Sequence, residues 1–129
     1  MQYLLDTVTI VRHFSGKGRM GHAAAAILNP LETRDDLFVI SVVSLMEIMY
    51  LAEKHRITIN LQETLERLEA SAKYLIVNLS PEILRVAETV KFDELHDRLI
   101  LATARWLDIP VLSSDGEFDR TPGITVIWD

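Results

Sequence analysis

The sequence predicts an α/β fold built on a mostly parallel sheet with helices on both faces, and three observations carry that reading. Short apolar runs recur along the chain, several closed at once by a polar residue: Tyr3-Leu4-Leu5 before Asp6, Leu37-Phe38-Val39-Ile40 before Ser41, Tyr74-Leu75-Ile76-Val77, Val111-Leu112 before Ser113, and Ile124-Thr125-Val126-Ile127. Runs of this length without polar alternation fit strands buried on both faces. Segments with helical apolar spacing lie between them, and strands alternating with helices imply crossover connections and a parallel sheet. Finally, the 129 residues, 49% hydrophobic and 25% charged, suit one domain spanning residues 1–129, with neither repeat nor low-complexity stretch.

Taken in order, Val8 to Phe14 has loose helical spacing and is stopped by the flexible Ser15-Gly16-Lys17-Gly18 loop. Gly21 to Leu28 is alanine-rich and ends at Asn29-Pro30. A long helix is expected from Val42 to about His55, with Ser41 as its cap and Leu45, Ile48, Met49 and Ala52 on one face. Leu61, Leu65 and Leu68 mark another, to about Ala72. Ser80-Pro81-Glu82 is a helix start with Ser as cap and Pro at the first position, and that helix should run to about Lys91. The last helix is expected over Asp93 to Leu107, before Ile109-Pro110.

Composition narrows the function. Cysteine is absent, which removes disulfides, thiolate metal sites and a cysteine nucleophile. No long apolar run and no basic-then-apolar N-terminus is seen, so neither a membrane span nor a signal peptide is expected, and the expected location is the cytoplasm. A net charge of -6 argues against a broad phosphate-binding surface. An acidic protein can still act on nucleic acid where metal ions supply positive charge locally.

Four acids stand out, each with an ordinary structural role beside the chemical one. Asp6 follows the first strand, where it can cap a helix for about 1 kcal/mol, and where open α/β sheets place their ligand crevice. Glu47 could close a capping box with Ser44, but with Ser41 as the cap it falls in the second turn, on the edge of the buried face. Asp97 lies at a helix start, where the dipole favours negative charge, on the face of Leu101 and Ala104, while Glu94 and Arg98 are spaced to pair on the exposed side. Asp115, in an Asp-Gly pair, could be a plain turn residue, yet it too stands just past a strand. All four can converge on one crevice at the carboxyl edge. Two carboxylates about 4 Å apart repel by about 4 kcal/mol at an effective dielectric near 20, so such a cluster calls for a cation, and a hard ion such as Mg²⁺ or Mn²⁺ suits oxygen ligands.

Through Tyr3-Leu4-Leu5-Asp6-Thr7, Ser41 to Ile48, His96 to Ala104 and Leu112-Ser113-Ser114-Asp115, the chain resembles PIN-domain ribonucleases of the VapC toxin type over nearly its whole length. The resemblance implies a sheet of five parallel strands and metal-binding catalytic acids at Asp6, Glu47 and Asp97, with a more variable fourth at Asp115 and a supporting hydroxyl at Ser113. It further implies Mg²⁺-dependent cleavage of RNA, a homodimer, and a cognate antitoxin whose basic tail enters the acidic groove.

The mechanism that follows is metal-assisted phosphodiester hydrolysis, with Asp6 and Asp97 as main ligands, Glu47 acting directly or through water, and Asp115 completing the second position. A haloacid-dehalogenase-type phosphatase needs a second Asp where this chain has Val8, and a phospho-receiver domain needs an acidic pair that Leu5-Asp6-Thr7 does not offer. The competing reading is a non-catalytic module whose acidic groove captures a basic peptide. The histidines lack ligand spacing, Lys17 and Arg19 read as a solvated loop, and Trp106 and Trp128 read as core or edge packing.

Overall fold

The apolar runs of the sequence become the strands of one sheet. In the computed structural model, which describes residues 1–129, β1 (Gln2–Leu5) is the middle strand of five, flanked by β2 (Leu37–Ser41) and β4 (Val111–Leu112), with β3 (Tyr74–Val77) and β5 (Val126–Ile127) at the edges. Every pairing is parallel. Successive side chains of a strand point to opposite faces, and the two cores divide accordingly. Tyr3, Leu5, Phe38, Ile40 and Leu112 lie in one core, and Leu4, Val39 and Val111 in the other.

Seven helices cover these faces. The first core is closed by α1 (Thr7–Ser15), α2 (His22–Leu28), α3 (Val42–Glu53) and α4 (Leu61–Glu69), through Ile10, Phe14, Leu28, Leu45, Ile48 and Leu68. Ile83 and Ala87 of α5 (Pro81–Ala87), Leu99 to Ala102 and Ala104 of α6 (Leu95–Leu107), and Phe118 of the short α7 (Gly116–Asp119) close the second. None of these helices is long and apolar enough to cross a membrane.

Three helices begin at or shortly after a strand's carboxyl end: α1 and α3 follow β1 and β2 within one residue, and three residues separate α7 from β4. Asp6 caps α1, Ser41 caps α3 and Asp115 caps α7, each accepting a bond from a backbone N–H of the first turn. Ser41 is thus the cap of α3, and Ser80 and Pro81 open α5 as expected. α5 stops at Ala87 rather than Lys91, because Thr89 and Val90 turn back onto Val86 and Ala87. α4 ends at Glu69 and starts from a cap the sequence reading did not assign, Asn60, which accepts from Glu63 N at 2.9 Å.

Other expectations fail on packing. Met49 is not on the buried face of α3; it is 39% exposed, beside the exposed Met46 and Tyr50. Trp106 is also exposed, on the outer side of α6. Glu94 and Arg98 do not pair, since Glu94 caps α6 and Arg98 Nε donates to the Ala87 carbonyl at 2.7 Å.

The carboxyl end of the chain is fastened to α2: Ala24 N donates to the Trp128 carbonyl at 2.9 Å. Gly21 makes the approach possible, for a Cβ there would stand 2.2 Å from that carbonyl oxygen. Gly21→Ala should therefore force backbone from backbone and cost about 1–3 kcal/mol. Urea unfolding checks this, with a lower midpoint at unchanged slope expected for the variant.

Candidate functional site

Asp6 sits at the end of the central strand and is buried, 5% exposed. A carboxylate in such a place needs donors. Its Oδ1 accepts from Thr9 N at 2.9 Å, and its Oδ2 from Ser113 Oγ at 2.5 Å. The same Ser113 Oγ accepts from Asp115 N at 3.0 Å, so one hydroxyl ties the ends of β1 and β4 and sets Asp115 beside Asp6. Burial pushes the Asp6 carboxyl above its ordinary range, the bonds from Ser113 and Thr9 oppose this, and the charge on Asp115 adds to it. The capping role of Asp6 is therefore fully real, and its second oxygen is held toward β4 at the same time.

Glu47 is brought from α3. The Thr7 hydroxyl donates to Glu47 Oε1 at 2.5 Å and lies 3.0 Å from the Ser44 hydroxyl, which aligns the acid with the start of α1. Asp97 comes from the first turn of α6, where its N–H donates to Glu94 Oε2 at 2.7 Å. It is half-buried, and its pKa stands at about 7, raised by burial and then by the charges of Glu94, Glu47, Asp115 and Asp6. That dependence on three other elements is the electrostatic signature of convergence. Asp115 is half-buried and caps α7 through Glu117 N at 2.8 Å, so it is a helix cap rather than a turn residue.

The four acids line one open cleft of about 420 Å³, together with Thr7, Val8, Arg12, Leu51, Ser114 and Phe118. None of the four takes part in an ion pair; the acidic partners in the chain's salt bridges are Asp36, Asp129 and Glu94. The helix starts at Thr7, Leu95 and Gly116 carry aligned N–H groups that offset part of this charge. As placed, no three carboxylates close on a single point at ligating distance. The donor set nonetheless fits a hard divalent ion: all ligands are oxygens, no cation neutralises them, and Mg²⁺ commonly keeps several waters while using only one or two carboxylates.

Three contributors were not assigned from the sequence. Thr7 holds Glu47, Glu94 adds to the field at Asp97, and Arg12 is the one cationic group on the cleft wall. Burial acts to raise Glu94, but the bonds it accepts from Asp97 N and His96 outweigh this and hold it below the usual carboxylate range. A hydroxyl directly after the first acid was the available signal for Thr7; the other two depend on loop and helix placement.

Because the folded pKa of Asp97 lies above the ordinary value of 3.8, the folded protein holds a proton that the unfolded chain has released. Stability without divalent ions should fall as pH rises from about 4 to about 7. For a half-exposed group, solvent screening leaves about 1–2 kcal/mol of this. Asp97→Asn should remove the dependence and raise Tm at pH 8 by several degrees in metal-free buffer, measured by calorimetric melting across pH.

A family model described as PIN domain matches residues 3–124 of the chain. Among solved structures, VapBC2 from Rickettsia felis bound to a DNA fragment from its promoter is similar at TM-score 0.74 and 18% identity, with 100% of each chain covered. A toxin–antitoxin complex from Klebsiella pneumoniae is similar at TM-score 0.65 and 26% identity, covering 97% of this chain and 95% of that one. DNA-bound VapBC from Salmonella typhimurium is similar at TM-score 0.70 and 20% identity, covering 98% and 97%. No curated protein matches the chain in sequence.

Proposed function

We propose, given that the chain belongs to the PIN-domain family, that it is a divalent-metal-dependent endoribonuclease of the cytoplasm and the toxin of a toxin–antitoxin pair. The observation that carries this is the cleft in which Asp6, Glu47, Asp97 and Asp115, from four separate elements, meet without a cationic partner. The Klebsiella pneumoniae complex, at 26% identity over nearly the full length, supports the toxin assignment.

Asp6 and Asp97 are the main metal ligands in this reading, Glu47 and Asp115 complete the set, and Ser113 is the supporting hydroxyl. A bound Mg²⁺, or Mn²⁺ in its place, would supply positive charge to the phosphate oxygens and lower the cost of making water a nucleophile near neutral pH. The chain's own residues do the positioning. Ser113 and Thr9 fix the Asp6 carboxylate at the end of a rigid central strand, and Thr7 orients Glu47, so two acids stand in place before substrate arrives. Burial of Asp6 and the mutual repulsion at Asp97 make the site more receptive to a cation than four solvated acids would be.

A partner with a basic tail fits the same cleft, because uncompensated carboxylates attract a guanidinium as readily as a metal. Next to the acids, and sharing Glu47 and Leu51 with them, lies an apolar hollow of about 440 Å³ walled by Met46, Met49, Tyr50 and His96. An antitoxin segment with apolar anchors and a following basic residue would fill both. The protein itself is proposed to act as a homodimer. The peptide-capture reading without catalysis shares this surface and differs in needing no metal.

The test is cleavage of total RNA with mapped ends. With Mg²⁺ or Mn²⁺, discrete cuts are expected, lost in EDTA and restored by added metal. Asp6→Asn and Asp97→Asn should each reduce the rate by at least about 100-fold while keeping the far-ultraviolet circular dichroism of the parent. Metal-independent cleavage, or full activity in either variant, would remove the assignment. Absence of Mn²⁺ binding by calorimetry would favour simple peptide capture.

A further inference from the structure

The acidic cleft contains one cation, and it is oddly placed. Arg12 lines the same wall as the four acids yet takes part in none of the chain's ion pairs. Its surroundings engage it instead. Its Nη1 donates to the Arg19 carbonyl at 2.9 Å, and its guanidinium carbon lies 5.8 Å from the centre of the Trp128 ring. Arg19's own side chain is engaged by Asp129, which steadies the carbonyl that Arg12 uses.

The glycine loop completes the holder. Gly18 lies against the stem of Arg12, with φ +88 and so little space that a Cβ would meet Arg12 Nε at 3.0 Å and its Cγ and Cδ at 3.1 Å. Only glycine combines that backbone angle with that approach. Gly18 backbone, Trp128 ring and Arg19 carbonyl thus fix a guanidinium on a wall of uncompensated carboxylates, with four of its five N–H donors not committed to that bond. A fixed planar fork with free donors is the arrangement that recognises a phosphate.

Its position indicates which phosphate. Arg12 is six residues beyond Asp6 on the same helix, roughly 9 Å along the axis. Its guanidinium is turned to the Arg19 carbonyl and the Trp128 ring rather than paired with any of the acids, which suits a neighbouring phosphate on the strand. We infer that Arg12, held by Gly18, Trp128 and Arg19, is a substrate-binding residue that grips a phosphate flanking the one cleaved. This rests on the nuclease reading above. The arginine would give the acidic protein one point of positive purchase on RNA and would set the direction in which the strand crosses α1. A contact made equally with bound substrate and with the transition state acts on KM rather than kcat.

The probe is a labelled RNA oligonucleotide spanning a cut mapped with the wild-type protein. Arg12→Met keeps the aliphatic stem between Gly18 and Trp128 and removes the charge, while Arg12→Lys keeps the charge and loses the fork. Arg12→Met should raise KM about tenfold with kcat within about twofold. The slope of log(kcat/KM) against log salt should become shallower by about 0.7, the share of one phosphate on a single strand. Arg12→Lys should raise KM about threefold and leave that slope unchanged. Mn²⁺ binding by calorimetry should match the wild type in both, which separates strand grip from metal binding. A KM equal to the wild type's in either variant overturns the inference and leaves the nuclease reading intact, and Arg12→Lys decides alone if Arg12→Met does not fold. A wild-type protein that cuts no RNA overturns the nuclease reading and this inference with it.

Discussion

The architecture depends on satisfying a carboxylate buried at the end of the middle strand. Asp6 accepts from Thr9 N and Ser113 Oγ, and those two bonds fix the start of α1 and the end of β4 relative to β1. Thr9 reinforces the junction by donating its own hydroxyl to the Leu112 carbonyl at 2.8 Å. A single acid therefore serves as helix cap, strand clamp and wall of the cleft. Structural and chemical roles at this residue are one arrangement seen from two sides, because a cap must stand where strand becomes helix, and that is where a parallel sheet opens its crevice.

The cost of gathering acids shows at Asp97. Its neighbours Glu94, Glu47 and Asp115 are all acidic, and the half-buried carboxyl responds by holding its proton to about pH 7. A fold selected for stability alone would place an amide there. Helix starts at the cleft soften the repulsion without removing it, which is the state in which a site gains most from a divalent ion. The uncommitted charge also explains why an apolar hollow beside it matters, since a polypeptide that covers both would gain from charge pairing and from burial of Met46, Met49 and Tyr50.

Most of the fold was legible because its strands are apolar on both faces and its helices carry strong caps. Ser41, Ser80 and the run Leu37–Ile40 fell where periodicity and capping chemistry placed them. The acids were legible as a group because each stands at a strand end or in an early turn of a helix. What escaped depended on tertiary placement. Met49 fits the apolar period of α3 but meets no covering element, and Glu94 looks like a partner for Arg98 until it is seen capping α6. Arg12 had no local signature at all. Its holder is assembled from Gly18, Arg19 and Trp128, the last of these 116 positions away along the chain.

The bond between Ser113 and Asp6 also has a consequence in time. The two residues are separated by 107 positions, and Asp115 follows only then. During synthesis at about 5–20 residues per second, roughly 5–20 s pass between the first acid and the last. β1 can pair with β2 early, but its other edge stays open until Val111 and Leu112 emerge. A nascent or prematurely ended chain therefore carries Asp6, Glu47 and Asp97 without the Ser113 bond that holds Asp6 and without Asp115. The four-acid cleft is assembled only after the segment carrying Ser113 and Asp115 has been made.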